Sequence, residues 1–166
     1  YKITEKLALM LNKIFFEVII ANGFSKKALK ILKLKKNLRL IDSSKISFNE
    51  VWKFNSVDNF TLIQSEDRKI FSKKDFKIVS KKKPNRSQID NLMFAFNVCR
   101  YTKSNAIVLA SNKSTIGIGS GQPSRLDSCE IAIDKMNKFS KIRDEIVAAS
   151  DAFFPFVDGI EKLVQS

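Results

Sequence analysis

An aromatic segment near the end of the chain carries the residues best suited to hold a ligand. In Ser-Asp-Ala-Phe-Phe-Pro-Phe-Val-Asp-Gly (residues 150–159), three phenylalanines surround Pro155 and two aspartates bracket them. Pro155 would break a helix and leave a gap in a central sheet ladder, so the segment predicts a fixed break between two elements. Aromatic bulk beside carboxylates suits a wall that binds a flat ligand with polar edges. The alternative is a core plug between a strand and the next helix.

A second candidate site is Gly-Ile-Gly-Ser-Gly (residues 117–121), which joins a predicted strand to a predicted helix. Backbone N–H groups in this context can bind an anion at the helix N-terminus. The spacing differs from the dinucleotide fingerprint G-x-G-x-x-G, and no acidic residue follows at the required place. The stretch therefore indicates either an anion-binding loop that includes Gly119 and Gly121, or a tight and close-packed turn.

Arg125 breaks a local rule, because it lies in the first turn of the predicted helix, where a cation is disfavoured. Residues that break local rules often serve a site. A guanidinium at this place would suit a phosphate or a carboxylate. The alternative is a surface ion pair with Asp127.

Two further polar residues could contact a ligand. Asn105 follows Lys103 and Ser104 at the start of a predicted strand, and its amide can donate and accept at once, as a carboxamide ligand requires. Most such asparagines cap or bridge turns. Asp158 opens the last predicted helix, where a carboxylate is favourable for structural reasons. It could equally accept hydrogen bonds from the edge of a ligand beside Phe153.

The elements that must position these residues follow from hydrophobic periodicity, which indicates an α/β chain. In the first lobe, the sequence predicts a helix whose buried face is formed by Ile3, Leu7, Met10, Leu11 and Ile14. A strand at 17–21, a helix that Ser25 caps and that runs to about Lys36, and a strand at 38–41 are predicted to follow. Strand, helix and strand at this spacing predict a βαβ unit with a parallel pair. Short apolar patches then predict strands at 51–54, 60–63 and 76–79.

A charged run that ends in Pro-Asn (residues 81–86) predicts a boundary between lobes at 1–83 and 84–166. In the second lobe, the sequence predicts a helix that Ser87 caps, with Asp90 completing a capping box. The apolar stripe of this helix is formed by Ile89, Leu92, Met93, Phe96 and Cys99. The elements predicted after it are a hairpin of strands 105–110 and 115–119, a helix that begins at Ser124, a strand at 146–149 and a last helix.

Composition excludes several classes of protein. The 166 residues hold 44% hydrophobic residues and no histidine, which argues against a disordered tail and against a transition-metal site. No apolar run approaches the roughly 20 residues that span a bilayer, and no signal peptide opens the chain. Cys99 and Cys129 fall on apolar faces of separate helices, so we expect core thiols in a reducing, cytoplasmic compartment. The formal net charge of +13 fits solvated surface lysines, steering of anionic substrates, or nucleic-acid binding.

Three motifs in order carry a family resemblance. Lys-Ser-Asn-Ala-Ile-Val (103–108), Thr-Ile-Gly-Ile-Gly-Ser-Gly-Gln-Pro-Ser-Arg (115–125) and the Ser-Asp-Ala-Phe-Phe-Pro-Phe block closely resemble the C-terminal half of the AICAR transformylase domain, whose family also has IMP cyclohydrolase activity. The resemblance is strongest from about Asn91 onward. It implies two lobes of cytidine-deaminase-like α/β fold without the zinc, of which residues 1–83 end the first and residues 84–166 form most of the second.

The resemblance also implies roles for individual residues. The family transfers a formyl group from 10-formyltetrahydrofolate to AICAR nucleotide, works as a homodimer with sites at the subunit interface, and can hold a structural potassium ion. By this resemblance Asn105 is catalytic and contacts the AICAR carboxamide. The other implied residues are Arg125, Lys103, Gly119 and Gly121 on the substrate side, Phe153, Pro155 and Asp158 on the folate side, and Ser104 and Asp151 as alkali-cation candidates.

The departures from the family pattern matter as much. The chain opens on Tyr1 and closes on Ser166, so we expect a piece of a longer protein, with the family's catalytic Lys-His pair before it and another histidine after it. Because this segment has no imidazole to take a proton from a weakly nucleophilic amine, we expect it to be inactive alone. Two other hypotheses stay open: a basic nucleic-acid-binding module, and a remnant that folds without catalysis.

Overall fold

The computed structural model describes residues 1–47, 52–67, 69–141 and 144–166, which divide into two compact units, Tyr1–Asp67 and Arg68–Ser166. The division falls earlier in the chain than the predicted boundary at 81–86. The first unit contains α1 (Glu5–Leu11), β1 (Val18–Ala21), α2 (Lys26–Leu32), β2 (Arg39–Asp42), β3 (Trp52–Val57) and β4 (Phe60–Ser65).

The first unit confirms the predicted βαβ arrangement, since β1 and β2 pair in parallel around α2. Ser25 caps α2 as predicted, its hydroxyl accepting from the Ala28 N–H at 3.1 Å. The helix ends at Leu32 instead of Lys36, because the chain turns at once toward β2. The predicted buried face of α1 is only partly right. Ile3 is buried and Ala8 is the buried residue of the helix, whereas Leu7, Met10 and Ile14 are exposed.

The middle of the chain contains one hairpin. Strands β3 and β4 pair antiparallel through a turn at Asp58, whose φ of 51° lies in the left-handed region. The predictions for 51–54 and 60–63 are therefore confirmed where they can be compared, since Val51 lies outside the described residues. The strand predicted at 76–79 is wrong. Phe76 follows a short 3₁₀ helix, Lys73–Asp75, and packs edge-on against Phe71 and Phe96 instead of joining a sheet.

The second unit is a three-layer α/β arrangement. It contains α3 (Arg86–Cys99), β5 (Ile107–Ser111), β6 (Ser114–Gly119), α4 (Arg125–Phe139), β7 (Val147–Ser150) and α5 (Asp158–Gln165). The sheet order is β6-β5-β7, with β5 antiparallel to both neighbours. Helix α3 packs on one face of the sheet, and α4 with Leu163 of α5 packs on the other.

Two local predictions for α3 need correction. Asn85 caps this helix instead of Ser87, and Gln88 completes the capping box, because Asn85 stands one residue before the first helical turn. Ser87 donates its hydroxyl to Glu145. The centre of the buried stripe runs through Asn91, Ala95 and Cys99, with the larger apolar side chains only partly buried beside it.

Helix α4 lies unusually close to β6, because two glycines face it. A Cβ on Gly117 would lie 2.0 Å from the Ala132 carbonyl oxygen, and one on Gly119 would lie 1.9 Å from the Ser128 carbonyl oxygen. Both distances are far inside van der Waals contact. The glycines therefore set the spacing between the sheet and the helix that begins at the candidate site.

Candidate active site

A cavity of about 320 Å³ lies at one edge of the β6-β5-β7 sheet. Since β5 is antiparallel to both neighbours, its first residues meet the last residues of β6 and β7 at this edge. The cavity is lined by Asn105, Pro123, Ser124, Arg125, Leu126, Phe153, Phe154, Pro155, Phe156, Asp158 and Gly159. It thus brings together five of the predicted site residues: Asn105, Arg125, Phe153, Pro155 and Asp158.

Ser124 begins α4 and so aims Arg125 into the site. Its hydroxyl accepts from the Leu126 N–H at 3.1 Å and from the Asp127 N–H at 3.5 Å, as an N-cap does. The predicted beginning of this helix at Ser124 is confirmed. Arg125 is consequently the first residue of the helix, directly beside the end of β7.

Arg125 is held by three acceptors in a largely buried position. Its Nη1 donates to Asp151 Oδ1 at 2.6 Å and to Ser150 Oγ at 2.8 Å, and its Nη2 donates to Asn105 Oδ1 at 2.8 Å. Only 11% of the arginine side chain and 16% of the aspartate side chain are exposed. The predicted surface pairing of Arg125 with Asp127 is therefore wrong, because the buried Asp151 carboxylate takes its place.

Asp151 is the anionic partner in this network. Partial burial by itself would raise the pKa of Asp151, but hydrogen bonds from Ser104, Arg125 and the Ala106 N–H hold it below the ordinary value of 3.8. The Ala106 N–H donates to Oδ1 at 3.0 Å. Since the guanidinium already supplies positive charge at this oxygen, Ser104 and Asp151 are a poor fit to a potassium site in this arrangement. No chemical step is assigned to such an ion.

The side-chain amide of Asn105 makes hydrogen bonds with neighbouring residues of the protein. Its Nδ2 donates to the carbonyl oxygens of Gln122 at 2.9 Å and Pro123 at 3.0 Å, while Oδ1 accepts from Arg125. Its own carbonyl accepts from the Ser128 hydroxyl at 2.8 Å. Asn105 thus fastens the loop before α4 to the start of β5, and the second lone pair of Oδ1 is its spare polar capacity.

The remaining predicted substrate-side residues lie outside the cavity lining. Gly119 packs against α4, as described above. Gly121 has a φ of 68°, and its N–H donates to the Lys103 carbonyl at 2.7 Å. This geometry supports the close-packed turn, since the Gly121 N–H is engaged within the chain. Roles of Lys103, Gly119 and Gly121 toward a substrate stay predictions.

The aromatic segment divides its phenylalanines between core and cavity. Phe154 packs into the core cluster under α4, and its ring centroid lies 5.9 Å from Arg125 Cζ. Phe153 and Phe156 are 79% and 73% exposed. The core-plug reading therefore holds for Phe154, whereas Phe153, Pro155 and Phe156 form an apolar wall of the cavity.

Asp158 begins α5 at the far side of this wall. One of its carboxylate oxygens accepts from the Gly159 N–H at 2.7 Å, and the side chain is exposed. A carboxylate at a helix N-terminus is favoured by the helix dipole. The second oxygen is positioned to accept from a ligand, because the residue lines the cavity.

Both cysteines are fully buried free thiols, as predicted. Burial raises the pKa of the Cys99 thiol and that of the Cys129 thiol to about 11. A thiol of this kind is a poor nucleophile near neutral pH. The cysteines are therefore core residues beside the site and not its reactive groups.

The surface lysines and the possible metal ligands do not form a second candidate site among the described residues. Lysines lie on several separate elements, and some pair with nearby carboxylates, as Lys69 does with Asp75 at 2.8 Å and Lys162 with Glu130 at 3.1 Å. This distribution does not favour the nucleic-acid hypothesis over the cavity. Among residues 1–47, 52–67, 69–141 and 144–166, no group of three or more Cys, Asp or Glu could hold a metal ion. In the same ranges, every helix is too short or too polar to cross a bilayer.

The sequence did not predict that the hydroxyls of Ser150 and Ser128 take part in the hydrogen-bond network of the site. Both hydroxyls bond to the Arg125 and Asn105 network, although serines at these positions carry no sequence signal of their own. The pairing of Asp151 with Arg125 could have been inferred. Both residues flank predicted strand and helix ends that an antiparallel sheet brings to one edge.

Comparison with known proteins identifies relatives over nearly the whole chain. The family described as AICARFT/IMPCHase bienzyme matches residues 1–135. The bifunctional purine biosynthesis protein PurH of Acetivibrio thermocellus is 42% identical over 163 residues, covering 96% of this chain and 31% of that protein. The proteins of the same name from Lactobacillus acidophilus and Brachyspira hyodysenteriae are 41% and 42% identical, each over 96% of this chain.

The chain spans 31% of the length of the Acetivibrio relative and 30% of the Brachyspira one. The predicted family resemblance is confirmed by both kinds of match. This chain belongs to the AICARFT/IMPCHase bienzyme family.

Proposed function

We propose that the complete protein transfers a formyl group from 10-formyltetrahydrofolate to the 5-amino group of AICAR, in the synthesis of IMP. The observation that carries this proposal is the cavity of about 320 Å³ that unites Asn105, Arg125, Phe153, Pro155 and Asp158. The family resemblance assigns the first two to the nucleotide and the last three to the folate. A formyl transfer requires that both substrates reach one cavity.

The polar end of the cavity suits the nucleotide. Arg125 has five N–H donors, of which the described residues engage three. The donors that are left can bind a carboxamide or phosphate oxygen. Asn105 Oδ1 beside them can accept from the carboxamide N–H₂ of AICAR.

The apolar end suits the folate. Phe153 and Phe156 present exposed aromatic surface, and Pro155 fixes the backbone between them. A pterin is flat and carries N–H donors along one edge. With its ring against this wall, those donors would reach the Asp158 carboxylate.

The fold and assembly belong to the same proposal. A β6-β5-β7 sheet with helices on both faces supports a cytidine-deaminase-like lobe at 84–166, preceded at 1–83 by the end of another. We propose that the complete protein is a homodimer with its sites at the subunit interface and that it also has IMP cyclohydrolase activity. The chain alone is proposed to be inactive, because it contributes no histidine as a proton acceptor.

The test is a formyl-transfer assay on the complete protein with Asn105→Ala and Asp158→Ala variants. Asp127→Ala is the matched control, since this residue is exposed on α4 and does not line the cavity. The proposal expects large losses of kcat/KM in both site variants and little loss in the control. The melting temperature should stay near that of the wild type in Asp158→Ala and fall in Asn105→Ala, which loses the hydrogen bonds to Gln122, Pro123 and Arg125. Wild-type kinetics in Asn105→Ala and Asp158→Ala would sink the assigned roles. An inactive wild type would sink the function itself.

A further inference from the structure

Asp151 lies behind the cavity wall and touches three elements of the second unit at once. It follows β7, its Oδ1 accepts from the Ala106 N–H at the start of β5, and the same oxygen binds Arg125 at the start of α4. Asp151 itself does not line the cavity. Any influence it has on a ligand must therefore pass through Arg125.

The guanidinium geometry shows what this contact accomplishes. Nη1 donates to Asp151 at 2.6 Å and to Ser150 at 2.8 Å, while Nη2 donates to Asn105 at 2.8 Å. Within the part of the chain that the structure describes, Nε–H and the second Nη2–H have no protein acceptor. These two donors remain available to an oxyanion or a carbonyl oxygen, the acceptors that a guanidinium binds best.

An arginine at the first turn of a helix has to be held there against the helix dipole. The side chain has many rotamers, and an unfixed guanidinium would lose entropy on each binding event. The short charge-assisted bond to Asp151 supplies the fixation, since Asp151 is itself anchored by a backbone N–H. Asp127, two residues further along α4, is exposed and does not share this network.

We propose that Asp151 is a positioning residue, which fixes Arg125 so that its remaining Nε–H and Nη2–H donors can bind an oxygen-bearing group of the ligand in the cavity. The same bond keeps Asn105 Oδ1 turned toward the guanidinium. That the ligand is a nucleotide rests on the proposed function, whereas the fixation of Arg125 does not.

The first experiment tests the fixation without any assumption about the reaction. The complete protein is treated with phenylglyoxal, and the rate of modification at Arg125 is followed by peptide mass spectrometry. We expect Arg125 in Asp151→Asn to react at least fivefold faster than in the wild type, with Asp127→Asn matching the wild type. Should Asp151→Asn fail to fold, Asp151→Glu, which keeps the charge but displaces the carboxylate by one methylene, takes its place and is interpreted in the same way. Equal rates at Arg125 in the folded variant and the wild type overturn the inference.

The second experiment is a double-mutant cycle on the Michaelis constants of the complete protein. Asp151→Asn is expected to raise the KM for AICAR about tenfold, equivalent to about 1.4 kcal/mol, and to leave the KM for the formyl donor unchanged. In an Arg125→Lys background the same change should add nothing, because the fork that Asp151 holds is gone. A full tenfold effect in that background would overturn a role through Arg125. An inactive wild type would refute the proposed function, while the phenylglyoxal rates would still decide the inference.

Discussion

Gly119→Ala tests whether the glycine-rich stretch serves packing or a ligand. The added Cβ would lie 1.9 Å from the Ser128 carbonyl oxygen, and real Cβ atoms essentially never come within 3.0 Å of a neighbour. The obstacle is helix backbone, which cannot rotate away as a flexible side chain would. Helix α4 would therefore have to retreat from β6 by about 1 Å, which costs about 3 kcal/mol as overpacking.

The retreat would also move the candidate site, because α4 begins at Arg125. The assay is thermal denaturation of the complete protein, where we expect a clear fall in melting temperature; 1 kcal/mol corresponds to about 2–4 °C for 150–250 residues and to less for a longer chain. Gly121→Ala is the matched control. Its Cβ would meet the flexible Lys103 side chain at 3.4 Å, so its cost is the left-handed φ of 68° alone, about 1 kcal/mol.

The alternative reading of Gly119 makes the opposite prediction. If its backbone approaches a ligand, Gly119→Ala should weaken substrate binding and leave the melting temperature unchanged. A wild-type melting temperature with a raised KM would refute the packing argument.

Other predictions concern charge, thiols and the aromatic wall. Because the pKa of folded Asp151 is lowered from 3.8, its contribution to stability is complete above that value and is lost as the pH falls through the folded pKa. The stability deficit of Asp151→Asn, measured by urea unfolding, should therefore shrink between pH 6 and pH 3. Cys99 and Cys129, with thiol pKa values of about 11, should resist iodoacetamide at pH 8 until urea unfolds the protein, as read by mass spectrometry. Phe153→Ala should weaken folate binding in a fluorescence titration without changing stability, since the ring is exposed. Phe154→Ala should lower stability by about 3 kcal/mol, the low end for a phenylalanine in a core, because that ring is partly buried against the core cluster. Equal melting temperatures for the two phenylalanine variants would contradict this division.

The sequence predicted the elements of the second unit better than the first because its periodicity is supported by turn chemistry. The hairpin at Asn112, the cap at Ser124 and the aromatic break at Pro155 all mark ends that the structure confirms. The strand predicted at 76–79 failed because an apolar patch does not reveal whether its side chains join a sheet or a ring cluster. Phe76 joined a ring cluster.

The sequence predicted which residues line the candidate site better than it predicted which of them make hydrogen bonds with each other. The three family motifs supplied five residues that line one cavity. The motifs did not reveal that the Asn105 amide makes hydrogen bonds with Gln122, Pro123 and Arg125. Nor did they reveal that the ion-pair partner of Arg125 is Asp151 and not Asp127. Such pairings depend on which strand ends share a sheet edge, and that edge is defined only by tertiary structure.

The most direct measurement is a structure of the complete protein with AICAR and a non-transferable folate analogue bound. We expect the pterin to lie against Phe153 and Pro155 with its N–H edge on Asp158, and an oxygen of AICAR to lie within hydrogen-bond distance of Arg125. Both ligands bound elsewhere, with this cavity unfilled, would contradict this expectation.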